Sequence, residues 1–204
     1  MATWSDFEQV KAYILARLER DLAPTLYYHN LAHTRDDVLP AAIRLLAGEG
    51  ANQKERLLLQ TAVLFHDSGQ LEQYEGHEAV SLQIAAATLP GFGYDHAEIA
   101  PILDLIAATR LSQQPANLLE ELIKDADLDV LGRDDFFAKN ACLLEELRAQ
   151  GAMIPDRAWR CSQLVFLKEH VYYTSTARHL RDSQKQRNIE IMQALLKDDA
   201  QQEC

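Results

Sequence analysis

The chain has 204 residues, 48% of them hydrophobic, and a formal net charge of −11. This length and apolar content allow a buried core without cross-links and argue against intrinsic disorder. The acidic balance excludes a nonspecific grip on nucleic acid, which needs a basic surface, but it leaves room for a small phosphorylated ligand held through a cation.

The first residues, MATWSDFEQVKAYILARLERD, have no basic stretch leading into a long apolar run, so no signal peptide is expected. No segment approaches the length of a membrane span, and no membrane association is expected. Apolar residues then recur at three- and four-residue steps along almost the whole chain. The spacing predicts helices near 5–20, 33–48, 53–68, 76–89, 96–110, 118–131, 134–150, 156–172 and 175–197. Four starts carry the signature of a capping box: Ser5 with Glu8, Asn52 with Glu55, Asp95 with Glu98, and Asn117 with Glu120. Breakers fall between them at Pro24, Gly48–Gly50, Gly69, the PGFG run at 90–93, Pro115 and Gly151–Pro155. No segment alternates apolar and polar residues as a strand would. The expectation is an all-α fold, one compact bundle spanning 1–204, with the last two helices packed on it or reaching to a partner. Cys142, Cys161 and Cys204 are widely spaced and odd in number. They read as reduced thiols in a cytoplasm, not as a disulfide framework or a structural zinc site.

Three segments place polar residues where a core should be. In LLLQTAVLFHDSG (57–69), His66 lies one turn from Ala62 and Val63, and Asp67 stacks over Val63 and Leu64. A carboxylate there is costly unless it is paired or bound to a cation. In LLEELIKDADLDVLG (118–132), Asp127 has Ile123, Val130 and Leu131 as one-turn neighbours and points to the apolar side. Asp125 and Asp129 fall on the opposite side and read as a solvated acidic face. In YYHNLAHTRDDV (27–38), His29 and His33 are four apart and can address one site. Spacing alone does not choose between them, and a simple cap by Asn30 or Thr34 is the plainer account of either. Together the three segments supply imidazoles and carboxylates from three helices, a donor set for manganese, magnesium, iron, nickel, cobalt or zinc.

A histidine, a later His-Asp doublet and a still later aspartate on an all-helical chain resemble the HD superfamily of metal-dependent phosphohydrolases. The resemblance runs from about Tyr27 to Gly132. It implies a compact orthogonal helical bundle of the HD-domain type, with residues 134–197 packed on the motif core. It puts the metal ligands on His33, His66, Asp67 and Asp127, holding one divalent ion or two. The stretch YHNLAHTRDDV is similar to the cyclic nucleotide phosphodiesterase branch, in which the first histidine protonates the leaving oxygen and the second binds metal. Carried over, His29 becomes the general acid and His33 the ligand, while the chain is shorter than those domains. The segments 75–85, 102–110 and 125–137 look closer to small bacterial HD proteins. HD proteins with extra histidines bind a second metal, and His77 stands at a suitable distance for that or for substrate phosphate. His96, at a helix start, reads as a surface residue.

Outside the motif, His170 faces inward from Phe166. Tyr172, Tyr173, Arg178 and Arg181 could close over the site and hold phosphate, but a packed aromatic corner followed by a solvated helix is the plainer reading. Lys124 is a further candidate for phosphate, with a surface lysine the plainer reading, and Trp4 and Trp159 read as packing residues. The expected function is hydrolysis of a phosphate mono- or diester of a small molecule, a nucleotide above all. Asp67 and Asp127 would orient the attacking water, and His29 would protonate the leaving alkoxide. The alternatives are a nucleotide-binding regulator without turnover and a di-iron oxygenase of the same type. The expected assembly is a monomer or a homodimer.

Overall fold

The computed structural model describes residues 2–202, leaving aside the side chains of Ser5 and of 199–202. Its regular elements are helical throughout. α1 (Trp4–Asp21) is followed by a π-helical turn at His33–Val38 that runs directly into α2 (Leu39–Gly48). α3 (Gln53–Phe65) leads to α4 (His77–Thr88) and α5 (His96–Ala108). Then come α6 (Leu118–Asp127), α7 (Phe136–Ala149), α8 (Asp156–Glu169) and α9 (Ser175–Gln202).

α3 is the hub. Every residue from Leu57 to Phe65 is buried, and α1, α2, α4, α5 and α6 all pack against it. A helix apolar on all sides must be surrounded, and here the surround places the residues just after α3 at the centre of the molecule. Only 3₁₀ turns follow α3, at Ser68–Leu71, and α6, at Asp129–Gly132. The helices expected at 53–68 and 118–131 therefore stop short of their last residues.

Reciprocal caps form at Asn52–Glu55 and Asp95–Glu98 as expected. At α1 the capping residue is Thr3, exchanging bonds with Asp6, so Ser5 lies inside the helix and its expected cap is displaced by two residues. Asn117 caps α6, but Glu120 reaches back to Ala116 N and the Asn117 side chain, so the box is only half as expected. Cys142 and Cys161 are free thiols, while Cys204 lies outside the described residues. No helix among the described residues is long and apolar enough to cross a membrane.

The last two helices pack on the molecule: α9 lies along the 129–132 turn and against α8. Two carboxylates hold it there. Asp125 accepts bonds from Tyr173 N, Thr174 N and the Thr174 hydroxyl at 2.8–2.9 Å. Asp129 takes Arg181 as a two-pronged partner at 2.7 and 2.8 Å, with Arg44 at 3.1 Å. Both are buried, at 1% and 3% exposure, so the expected solvated acidic face does not exist. α6 and the turn after it are covered on both sides, by the bundle and by residues 173–174 with the start of α9, so Asp125 and Asp129 are internal.

Candidate metal centre and catalytic cavity

Phe65 ends α3, and His66 and Asp67 follow within the core. The His66 ring donates from Nδ1 to Val63 O at 2.8 Å, which leaves the lone pair on Nε2. That nitrogen lies 3.2 Å from Asp67 Oδ2 and 3.4 Å from Asp127 Oδ1. His33 enters from the π-helical turn, its Nε2 3.3 Å from Asp127 Oδ1 and 3.5 Å from Asp67 Oδ2. Asn30 caps the start of that turn by accepting from Ala32 N and His33 N. The plain reading of Asn30 holds, and His33 still points inward. Donor atoms of His33, His66 and Asp127 all lie within 4.8 Å of one another.

His66 Nε2 and Asp67 Oδ2 are buried without a hydrogen-bond partner in the protein. Each such atom costs about 1–3 kcal/mol and needs an explanation. The charges agree. Burial alone would lower the His66 pKa, but Asp67 and Asp127 outweigh it and pull it well above the ordinary range. Burial would raise Asp67, and a positive charge on His66 holds it well below. The cluster demands positive charge. Two imidazoles and two carboxylates fit a divalent cation of borderline or hard character.

His77, the first residue of α4, brings Nε2 to 3.1 Å from the other Asp67 oxygen. Its Nδ1 is fixed on Tyr74 O. His29 stands on the loop before the π-helical turn, its ring 5.8 Å from His33 and 5.9 Å from His77. Sequence spacing gave no sign of its partner. Glu146, fully buried on α7, accepts from His29 Nδ1 and binds the backbone N–H groups of Tyr28 and His29 through its second oxygen. Burial pulls the His29 pKa down. The bond to Glu146 and the Asp67 charge more than reverse this, and the net shift is upward. Glu146 lies more than a hundred residues along the chain from His29, and on α7 it looks like one of the two acidic residues in LLEELRA. Its only signal was an apolar-side position beside Leu143.

His29, Asp67, His77 and Asp127 line one end of a cavity of about 310 Å³, the lower range for small-molecule sites. Apolar side chains from Leu128 to Phe166 line the rest, with Lys139, Asn140 and Gln163 among them. Lys124, His170 and Arg178 are not among the lining residues. Lys124 donates to Ala108 O and Arg110 O at 2.8 Å and caps the end of α5. Arg178 binds Tyr172 O and Tyr173 O. His170 sits edge-on to Tyr172, with Lys185 on its Nδ1 and carbonyl. These three expected phosphate or metal contacts are therefore corrected: each is occupied in joining helices. Arg181 is likewise spent on Asp129 and Tyr172 on packing. His96 is exposed, and Trp4 and Trp159 pack as expected.

The fold is that of HD-domain proteins. Three solved structures share it along nearly their whole length. A predicted HD superfamily hydrolase from an uncultured Thermotogales bacterium superimposes with a TM-score of 0.63 at 19% identity, over 93% of this chain and 91% of its own. YpgQ of Bacillus subtilis, solved in complex with ADP, gives 0.68 at 17% identity, over 96% and 95%. A Lactobacillus plantarum protein gives 0.69 at 19% identity, over 97% and 100%. No family model and no curated protein matches the sequence.

Proposed function

We propose that this protein is a metal-dependent phosphohydrolase acting on a small phosphate ester, a nucleotide above all. The observation that carries the reading is the pair of unpartnered buried atoms, His66 Nε2 and Asp67 Oδ2, converging with His33 and Asp127 beside a cavity that Asp67 and Asp127 line. These four residues would hold the ion, and Asp67, through its second oxygen on His77, would link it to a further phosphate or metal position. A divalent ion there supplies Lewis-acid polarisation of a phosphoryl oxygen and acidifies water for attack at neutral pH.

The chain's own residues do the rest. Asp67 and Asp127 fix the direction of approach to phosphorus. His29 holds a proton on Nε2 for the leaving alkoxide, because its Nδ1 proton is committed to Glu146. Glu146 touches no substrate; it positions the ring and favours its protonated form. The burial of the cluster keeps these charges strong. Support for a nucleotide comes from the cavity's apolar walls and from YpgQ, a fold relative that was solved with ADP.

The test is a panel of nucleotides and phosphate esters assayed with manganese, magnesium, iron, nickel, cobalt and zinc in turn. The proposal expects phosphate release that depends on the metal and stops with chelator. Oxygen consumption with an iron-loaded, coloured protein would support the oxygenase instead, and tight nucleotide binding without turnover would support the regulator.

A further inference from the structure

A metal ligand needs something to aim it, and Asp127 stands where a helix gives least support. It is the last residue of α6, where the final carbonyls lose their helical donors and the chain enters the 129–132 turn. His66 is aimed by Val63 O, and Asp67 by His77. The Asp127 carboxylate has its fellow ligands His33 and His66 as polar partners among the described residues. Its direction therefore depends on the backbone beneath it.

That backbone is strapped from outside by residues 172–188. Tyr172 is 0% exposed, and its hydroxyl donates to Leu128 O at 3.2 Å and toward Asp129 O at 3.4 Å. These are the carbonyls of the two residues that follow Asp127. The ring is held in place by His170, edge-on at 4.5 Å, and by Lys185 Nζ, 5.2 Å from its centre. Asp125 and Asp129, two residues to either side of Asp127, are bonded to the backbone of 173–174 and to Arg181. Asn188 Nδ2 closes the far end on Leu131 O and Arg133 O, both at 3.0 Å. No residue of 172–188 is among those lining the catalytic cavity, so the strap acts through the backbone alone.

We propose that Tyr172 is a positioning residue for the metal centre: through the carbonyls of Leu128 and Asp129 it holds Asp127 at the ion, so that ion affinity and the docking of the 172–188 strap are coupled. The inference rests on the metal centre proposed above. Linkage makes the coupling reciprocal, and whatever the strap adds to ion affinity the ion returns to strap docking. Removing a group that supports a metal ligand costs about 10- to 100-fold in affinity, and Tyr172, acting one residue away, belongs at the lower end, about tenfold.

The test titrates manganese, with zinc as a second probe, into metal-free wild type and Tyr172→Phe by calorimetry. Tyr172→Phe keeps the ring and removes only the hydroxyl, and it should bind about tenfold more weakly. Val10→Ala, at a buried position in α1, should lose stability to urea and keep wild-type affinity. A Tyr172 that only packs would behave in the same way. A second measurement compares amide hydrogen exchange of the wild type with and without manganese. The ion should slow exchange at 172–181 by about tenfold, as it should at 125–133. Wild-type affinity in Tyr172→Phe would overturn the inference. So would exchange at 172–181 that manganese leaves unchanged, and this readout stands even where Tyr172→Phe fails to fold. In either case a wild type that binds the ion leaves the metal centre standing. A wild type that binds neither ion overturns both.

Discussion

His29 and Glu146 show how one buried carboxylate can set the working range of a distant histidine. Glu146 binds both the ring and the backbone on which the ring stands. In the proposed role of proton donor His29 must be protonated to act, so the alkaline limb expected of the rate profile follows its raised pKa. Glu146→Gln removes the charge that raises it. This variant should lose about 10- to 100-fold in kcat, and its alkaline limb should move to lower pH. A pH–rate profile checks both, and a uniform loss with an unmoved limb would reduce Glu146 to packing. The linkage has the same sign for stability. The pair stabilises the fold fully below the ordinary histidine range, and the gain is lost as pH rises through the raised value. Among single residues, Asp67 and Asp127 were legible in the sequence because a carboxylate on an apolar stripe is costly. Asp125 and Asp129 were misread for a definite reason. Helical periodicity assumes one face in and one face out, and α6 is covered on both.

At the scale of elements, the close approach of α4 to the turn after α3 aligns His77 with Asp67. Gly69 makes that approach possible by lacking a side chain. A Cβ there would lie 1.9 Å from His77 O and 2.9 Å from Ser81 N, both backbone atoms that cannot rotate away. Gly69→Ala should therefore push the start of α4 outward, cost about 3 kcal/mol, and part His77 from Asp67. Urea unfolding of the variant measures the cost, and an unchanged midpoint would show that α4 yields freely. The corner between α8 and α9 carries a different signature. Burial, with the charges of Lys185 and Lys124, lowers the His170 pKa to about 4. The unfolded chain then binds a proton that the folded one refuses, so this residue costs stability as pH falls from the ordinary histidine range toward about 4. His170→Gln should lose less stability than the wild type between pH of about 7.5 and 5 in the same urea experiment, and an equal loss would contradict the assignment. Helix positions were legible because their period and caps are local signals. The turns at 68–71 and 129–132 were not, because tertiary packing ends α3 and α6 earlier than their apolar pattern does.

On the scale of the whole molecule, the bundle gathers residues 33, 66–67 and 127 at its centre by enclosing α3 on every side. The all-α class followed from a pattern repeated along the chain. The site's two halves came through unequally. The metal side was legible as polar residues misplaced in apolar helices. The rest, Glu146 behind His29 and Asn140 and Gln163 on the cavity wall, comes from helices whose sequence shows little out of place, and only the packing of α7 and α8 brings those side chains there. An acidic chain that buries two carboxylates beside two imidazoles has use for a cation, and its presence is the claim on which the functional account depends. Metal content by elemental analysis of the purified wild type and Asp67→Ala, each supplied with divalent ions and then desalted, tests it most directly. The account predicts about one divalent ion or more per wild-type chain, and less than about a tenth of that in Asp67→Ala with the helical circular dichroism unchanged. A wild type without stoichiometric metal, or an Asp67→Ala protein that keeps it, would contradict the account.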